Sequence, residues 1–200
     1  PEWVVDKPTK LTTIYDRVDL LRTRYAWFAA TVEADWERRR ADAAVAGKPL
    51  EPQQREAVDT LLSQMAEDLA FLERANEPGE FMADEDLERL QEVGAKIFVC
   101  SGEEWPYLTE NELYNLSIRK GTLTDEERKK INDHAALTIR MLEQIPFTRK
   151  LQQVPDIAGA HHEKLDGSGY PQGLGAEEIS LQARILALVD IFESLSADDR

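Results

Sequence analysis

The chain has 200 residues, 32% of them charged and 42% hydrophobic, with a formal net charge of −15. That length supports one or two domains with a hydrophobic core, and no apolar run reaches the length of a membrane-spanning helix. The acidic balance opposes a broad duplex nucleic-acid surface, although it leaves room for a small phosphate ligand held locally by a metal and an arginine. The single cysteine, Cys100, excludes an intrachain disulfide framework and fits a reducing cytoplasm.

Residues 1–11 read as a short extended or turn segment. From Thr12 to Ala46 the apolar residues Ile14, Val18, Leu21, Tyr25, Phe28, Val32 and Trp36 recur at helical steps, and Gly47-Lys48-Pro49 breaks the pattern. A second helix is predicted from Pro52 to Asn76, with Val58, Leu61, Leu62, Met65, Leu69 and Leu72 on its stripe. Two long amphipathic helices across a short loop predict an antiparallel hairpin with densely charged outer faces. Pro78-Gly79 closes it. A shorter helix is expected over 84–96, then an irregular stretch through Trp105-Pro106. Another helical piece starts at Thr109, where Thr109 and Glu112 have capping-box spacing.

The C-terminal part is cleaner. A helix is predicted from Thr124 to Ile145, with Thr124 as N-cap and Pro146 as its stop. A short helix follows, with Pro155 in its first turn and His161-His162 near its end. After a glycine-rich loop, a last helix is expected over 180–196. Its apolar run from Ala183 to Val189 predicts burial on most sides.

All three histidines, His134, His161 and His162, fall in this part. His134 shares a stripe with Ile131, Thr138, Met141 and Ile145, and His161 follows Ile157 and Ala158, so both are expected to turn inward. Asp190 interrupts the most apolar helix, where a buried carboxylate is costly unless paired. Each residue alone has a plainer explanation: an inward histidine hydrogen-bonded in a core, or Asp190 in an ion pair with Arg184. Successive helical positions differ by about 100°, so adjacent histidines share one site only at a helix end or around more than one metal. Three helices projecting imidazoles and a carboxylate toward one point favour a metal site. The absence of thiolate suits iron, manganese or zinc better than calcium.

The stretch from His161 to Pro171 reads HHEKLDGSGYP. With Asn132-Asp133-His134 and the segment from Ser180 to Asp190, it resembles the HD-GYP family of metal-dependent phosphohydrolases over residues 119–200. The resemblance implies an all-α, HD-domain-like helical bundle with a divalent metal cluster, usually of iron or manganese. It implies hydrolysis of cyclic di-GMP to pGpG or GMP. Carried onto this sequence, His134, His161, His162 and Asp190 match metal ligands, and Arg200 matches a substrate-phosphate residue. Tyr170, with Gly169 and Asp166, matches the loop beside the substrate. The plainer reading of that loop is a tight turn shaped by glycine and proline.

The family's other hallmark, a His-Asp pair followed by Gly-Lys, does not occur in these 200 residues, and no histidine precedes His134. Residues 1–8 resemble the segment that follows that hallmark. Lys7-Pro8-Thr9-Lys10-Leu11-Thr12 loosely echoes Arg119-Lys120-Gly121-Thr122-Leu123-Thr124. Residues 12–118 are therefore expected to be a helical insertion: the hairpin 12–77, then short helices over 84–118. Residues 1–11 and 119–200 would belong to the phosphohydrolase domain. We expect a piece of a longer cytoplasmic protein, little active alone because ligands and a catalytic lysine are missing, so that no catalytic residue is assigned here. The competing expectations are a non-catalytic cyclic-dinucleotide sensor or protein-interaction module on the same fold, and a helical protein with a structural metal. The loop and the hairpin are candidate surfaces for a protein partner or a homodimer.

Overall fold

A computed structural model describes residues 7–13, 16–48, 50–78 and 81–196. Ile14, Pro49, Gly79, the segment 1–6 and Arg200, which carried expectations above, lie outside the described residues. The fold is mostly helical with one two-stranded antiparallel sheet, and it divides into two compact units, Pro1–Thr124 and Asp125–Arg200.

In the first unit, helices α1 (Val18–Val45) and α2 (Pro52–Asn76) form the predicted antiparallel hairpin. Arg22 pairs with Glu73 at 2.6 Å and Arg55 with Glu33 at 2.9 Å, so numbers rise on one helix as they fall on the other. Val18, Leu21, Tyr25, Phe28 and Trp36 are buried, as the stripe predicts. Helix α1 begins at Val18 rather than Thr12, because polar side chains divert the preceding backbone. The Thr9 hydroxyl donates to Asp16 at 2.7 Å, and Asp16 accepts the Val18 N–H at 3.0 Å. Helices α3 (Asp84–Gly94) and α4 (Glu110–Leu116) follow, the latter opened by the predicted capping box between Thr109 and Glu112.

The stretch between α3 and α4 corrects the expectation of irregular chain. Strands β1 (Ile97–Cys100) and β2 (Glu103–Pro106) pair with Phe98 opposite Trp105. Ser101 and Gly102 both have positive φ, 53° and 83°, as a two-residue hairpin turn requires. The hairpin carries Phe98 onto Phe28, with stacked rings 4.3 Å apart. Around them Leu11, Leu21, Leu72, Leu90 and Leu116 are fully buried. A buried ion pair ties α1 to α4: Arg24 grips the Glu112 carboxylate through two bonds of 2.8 and 3.0 Å.

The two echoing segments lie side by side. The Thr122 hydroxyl donates to the Lys7 carbonyl at 2.7 Å. Lys7 Nζ donates to Asn115 at 3.1 Å, and Lys10 Nζ donates to the carbonyl of Leu116, the last residue of α4, at 3.2 Å. A cation on a terminal helix carbonyl is a favourable placement.

The second unit contains α5 (Asp125–Leu142), a single 3₁₀ turn (Arg149–Leu151), α6 (Val154–Gly159) and α7 (Leu181–Ser196). Helix α6 lies hard against α5 at Gly159, where a Cβ would stand 2.2 Å from the Ile139 side chain. Only glycine permits that approach. It brings the residues just after α6 up to the middle of α5. The core here is small: Ala160, Ile179 and Ala183, with Leu174 against them. The expectation that α7 is buried on most sides is overturned. Among its described residues Ala183 is the buried one, while Leu188, Phe192 and Leu195 are 68–75% exposed. Too few apolar side chains face α7 within this unit to cover a helix apolar all round.

Candidate metal centre

Three imidazoles meet where α5 passes the end of α6. His134 projects from α5, and His161 and His162 sit in the turn that follows Gly159. That turn lets neighbouring residues approach one point, which a continuing helix would forbid. His134 is exposed rather than core-facing, as are Met141 and Ile145 farther along its stripe, a correction with the same cause as at α7. His161 and His162 are half-buried.

Second partners set the ring orientations. His134 Nδ1 sits on the Ile131 carbonyl, and His161 Nδ1 lies 2.6 Å from the Ala158 carbonyl. A carbonyl can only accept, so each Nδ1 carries a proton, and in the neutral ring the lone pair lies on Nε2. His162 Nε2 lies 3.1 Å from His134 Nε2, a separation bridged by a proton or a cation. Nitrogens about 2.1 Å from one ion, at right-angled to tetrahedral openings, stand about 3.0–3.4 Å apart. One ligand atom from each of the three histidines lies within 4.8 Å of the others. The donor set therefore fits a divalent transition metal. Burial, and after it the charges of His161 and His134, hold the His162 imidazole below its ordinary range, which favours the neutral, ligating form.

Asp190 is half-buried on α7 and stands outside the three-imidazole cluster. It is near enough to oppose the downward shift at His162. Together with the larger effect of burial, it pushes the Tyr170 hydroxyl up. The alternative pairing with Arg184 does not form among the described residues: that guanidinium donates to the carbonyls of Ile179, at 3.1 Å, and Ala176.

The loop after the histidines packs directly on them. The Tyr170 ring stacks on His162 with centroids 4.8 Å apart and planes 27° from parallel. Gly169 passes so close to the backbone that a Cβ would lie 2.4 Å from Glu163 Cα. Exposed Asp166 accepts the Ser168 N–H at 2.9 Å and its hydroxyl at 2.7 Å, bonds that hold its carboxyl below the usual range. Asp166 thus shapes the turn.

Sequence reasoning passed over Glu163. Its carboxylate is buried and accepts three successive backbone N–H groups, from Gln172 at 2.6 Å, Gly173 at 3.1 Å and Leu174 at 2.9 Å. Its place directly after the histidine pair was the one available signal.

Residues 105–200 match the family model described as HD domain. A 3'3'-cGAMP-specific phosphodiesterase 3 of Vibrio cholerae serotype O1 is 44% identical over 80 residues, 40% of this chain and 17% of that protein. The cyclic di-GMP phosphodiesterase response regulator RpfG of Xanthomonas campestris pv. campestris is 40% identical over 39% of this chain and 20% of its own length. A cyclic di-GMP phosphodiesterase of Thermotoga maritima is 37% identical over 39% of this chain and 21% of its own. The alignments thus span about a fifth of each relative, and no solved structure matches. It is over residues 105–200, just under half of the chain, that the sequence is similar to the HD domain family.

Proposed function

We propose that this chain carries the metal-binding C-terminal part of a phosphodiesterase domain that hydrolyses cyclic di-GMP, or a related cyclic dinucleotide, to linear products. The observation that carries the reading is the meeting of three imidazoles, two of them with Nδ1 tied to a backbone carbonyl so that Nε2 is free to ligate. The names of the relatives supply the substrate class. His134, His161 and His162 would hold a divalent metal, iron or manganese before zinc, with Asp190 as a fourth ligand from α7. When bound, such a metal supplies Lewis acidity at the attacked phosphate and a water made nucleophilic at neutral pH.

The chain's own residues orient and shield. Tyr170 covers one face of His162, and the tight turn at Asp166–Gly169 presents the loop beside the site. Arg200 is assigned to a substrate phosphate on the resemblance alone. The adjacency of Lys7 and Thr122 supports reading 12–118 as an insertion whose two edges meet, with 1–11 and 119–200 continuous in the phosphohydrolase domain. No histidine precedes His134, so these residues do not hold the His-Asp hallmark, and the 200 residues alone should turn over little substrate. Among the described residues no helix is long and apolar enough to cross a membrane.

The decisive experiment is metal analysis of the full-length protein together with cyclic di-GMP hydrolysis, with and without a chelator. A metal-loaded protein whose hydrolysis is lost on chelation and in His161→Ala is expected. A metal-loaded protein that binds the dinucleotide without cleaving it would instead establish the sensor reading.

A further inference from the structure

We infer that Glu163 is a positioning residue of the imidazole cluster, acting through the Gly-Tyr-Pro loop to fix the orientation of His162. The inference rests on the metal-centre reading only for its consequence in metal affinity. The positioning itself stands on geometry within the second unit.

Glu163 follows His162 directly, and the Glu163 N–H donates to the Ala160 carbonyl at 3.1 Å, which holds this point of the turn in place. Its side chain then reaches across to the far limb of the loop, where both carboxylate oxygens are filled by the N–H groups of Gln172, Gly173 and Leu174. Charge-assisted bonds of this kind are stronger than neutral ones, and a buried carboxylate is tolerated because they satisfy it. The near limb is held as well: the Tyr170 N–H donates to the His162 carbonyl at 3.3 Å, and Gly169 lets the two backbones touch.

Between these anchors the chain has one side chain directed at the cluster, the Tyr170 ring lying flat on His162. On its other contacts His162 meets the rings of His161 and His134, with centroids at 4.0 and 4.9 Å. The Nδ1–carbonyl bonds that orient His134 and His161 have no counterpart among the bonds of the described His162 ring, whose Nε2 faces His134. Stacking by Tyr170 takes their place, and Glu163 is what keeps Tyr170 there. The carboxylate touches neither metal nor substrate in this arrangement. Its effect is to keep His162 Nε2 aimed at His134 Nε2.

The test uses the 200-residue chain and has two arms. In the first, histidine-selective NMR reads the His162 ring protons, which the stacked Tyr170 ring displaces upfield. That displacement should vanish in Glu163→Gln, Glu163→Ala and Tyr170→Ala and persist in Tyr170→Phe, with helix content by circular dichroism unchanged. In the second, Zn²⁺ is titrated in competition with a chromophoric chelator. Partners that orient a ligating imidazole are typically worth about 10–100-fold in metal affinity. Losses in that range are expected for the first three variants, with none for Tyr170→Phe. Retention of the ring-current displacement in Glu163→Gln and Glu163→Ala, with wild-type Zn²⁺ affinity, would overturn the inference. Should Glu163→Ala lose helix content, Tyr170→Ala decides the second step, since it removes the stacked ring and leaves the carboxylate's bonds in place. A wild-type chain that takes up no Zn²⁺ would count against the metal reading, while the NMR arm would still decide the role of Glu163.

Discussion

The two units solve the problem of stability differently. In the first, thirteen described residues form one buried cluster around Phe28, assembled from the helical hairpin, the β-hairpin and two short helices. In the second, three small or medium side chains form the cluster, while Leu137, Met141, Leu188, Phe192 and Leu195 stand open on α5 and α7. A core that small supplies only a few kcal/mol at best. What holds the second unit is largely polar and local: the three N–H bonds to Glu163, the Asp166 turn, and imidazoles seated on helix carbonyls. The first unit is therefore a scaffold that stands on its own burial. The second keeps a site in shape but leaves its apolar faces uncovered among the described residues.

The contrast can be broken most directly at the centre of the large core. Phe28→Ala removes a fully buried ring that stacks on Phe98 and tilts against Tyr107. Such truncations typically cost about 3–5 kcal/mol. Denaturant unfolding followed by tryptophan fluorescence should show that loss, because Trp27, Trp36 and Trp105 all belong to the first unit. Native-state hydrogen exchange should place the amides of α1 and α2 among the slowest and those of α7 among the fastest of the helices. Equal protection in both units would refute the contrast.

Next in size is the buried pair between Arg24 and Glu112, with side chains 20% and 4% exposed. Removing one partner from such a pair typically costs about 3–5 kcal/mol; Glu112→Ala should fall near the low end, because Arg24 still reaches the Tyr107 carbonyl. The same pair gives a pH signature. Burial pushes the Glu112 carboxyl up, but the bonds from Arg24 and Thr109 together outweigh it and hold the carboxyl below its ordinary range. A carboxyl depressed by folding stabilises the native state fully above its unfolded pKa, about 4.3 for glutamate, and loses that contribution as pH falls through the folded value. Acid titration of the wild type should therefore destabilise the first unit below about pH 4. In Glu112→Gln the curve should be flatter.

Metal sharpens the contrast from the other side. A divalent ion present at about 100 times its dissociation constant adds about 2.7 kcal/mol to whatever unfolds with its site. Zn²⁺ or Mn²⁺ should therefore slow exchange in α5, α6 and α7 while α1 and α2 stay as they were, and chelation or His134→Ala should cancel the effect. Protection gained in the hairpin and absent from α5–α7 would place the ion elsewhere.

How much of this was legible in the sequence follows from the range of the signals. The hairpin stripe from Val18 to Trp36, the capping box at Thr109 and the proline in the first turn of α6 are local patterns, and each appears where expected. The strands at 97–106 were missed because four residues are too few to show alternation, although Ile97-Phe98-Val99 followed by Ser101-Gly102 carries both strand and turn chemistry. The histidines could be named from motif spacing, yet their hydrogen-bond partners and the reach of Glu163 across the loop depend on how α6 seats on α5 at Gly159. That contact joins residues twenty apart and leaves no periodic trace. The exposure of α7 was illegible for a different reason: a helix apolar all round states what it would bury against, and nothing in its own residues says which segment supplies the cover.

The smallest expected effect lies inside the better-packed unit. The Tyr25 hydroxyl is buried with no hydrogen-bond partner among the described residues, and burial pushes its pKa well above the ordinary tyrosine range. Its ring is held edge-on to Tyr107 at 5.4 Å and tilted against Phe28, so the position is set by aromatic packing and the oxygen is carried along. Leaving such a group unsatisfied costs about 1–3 kcal/mol, and replacing it with an apolar group of the same shape is neutral or stabilising. Tyr25→Phe should therefore raise the unfolding midpoint, by the equivalent of up to about 1 kcal/mol, with the denaturant slope unchanged. A clear loss of stability would mean that the hydroxyl is bonded in solution, and that the first unit, like the second, depends on a polar contact at its centre.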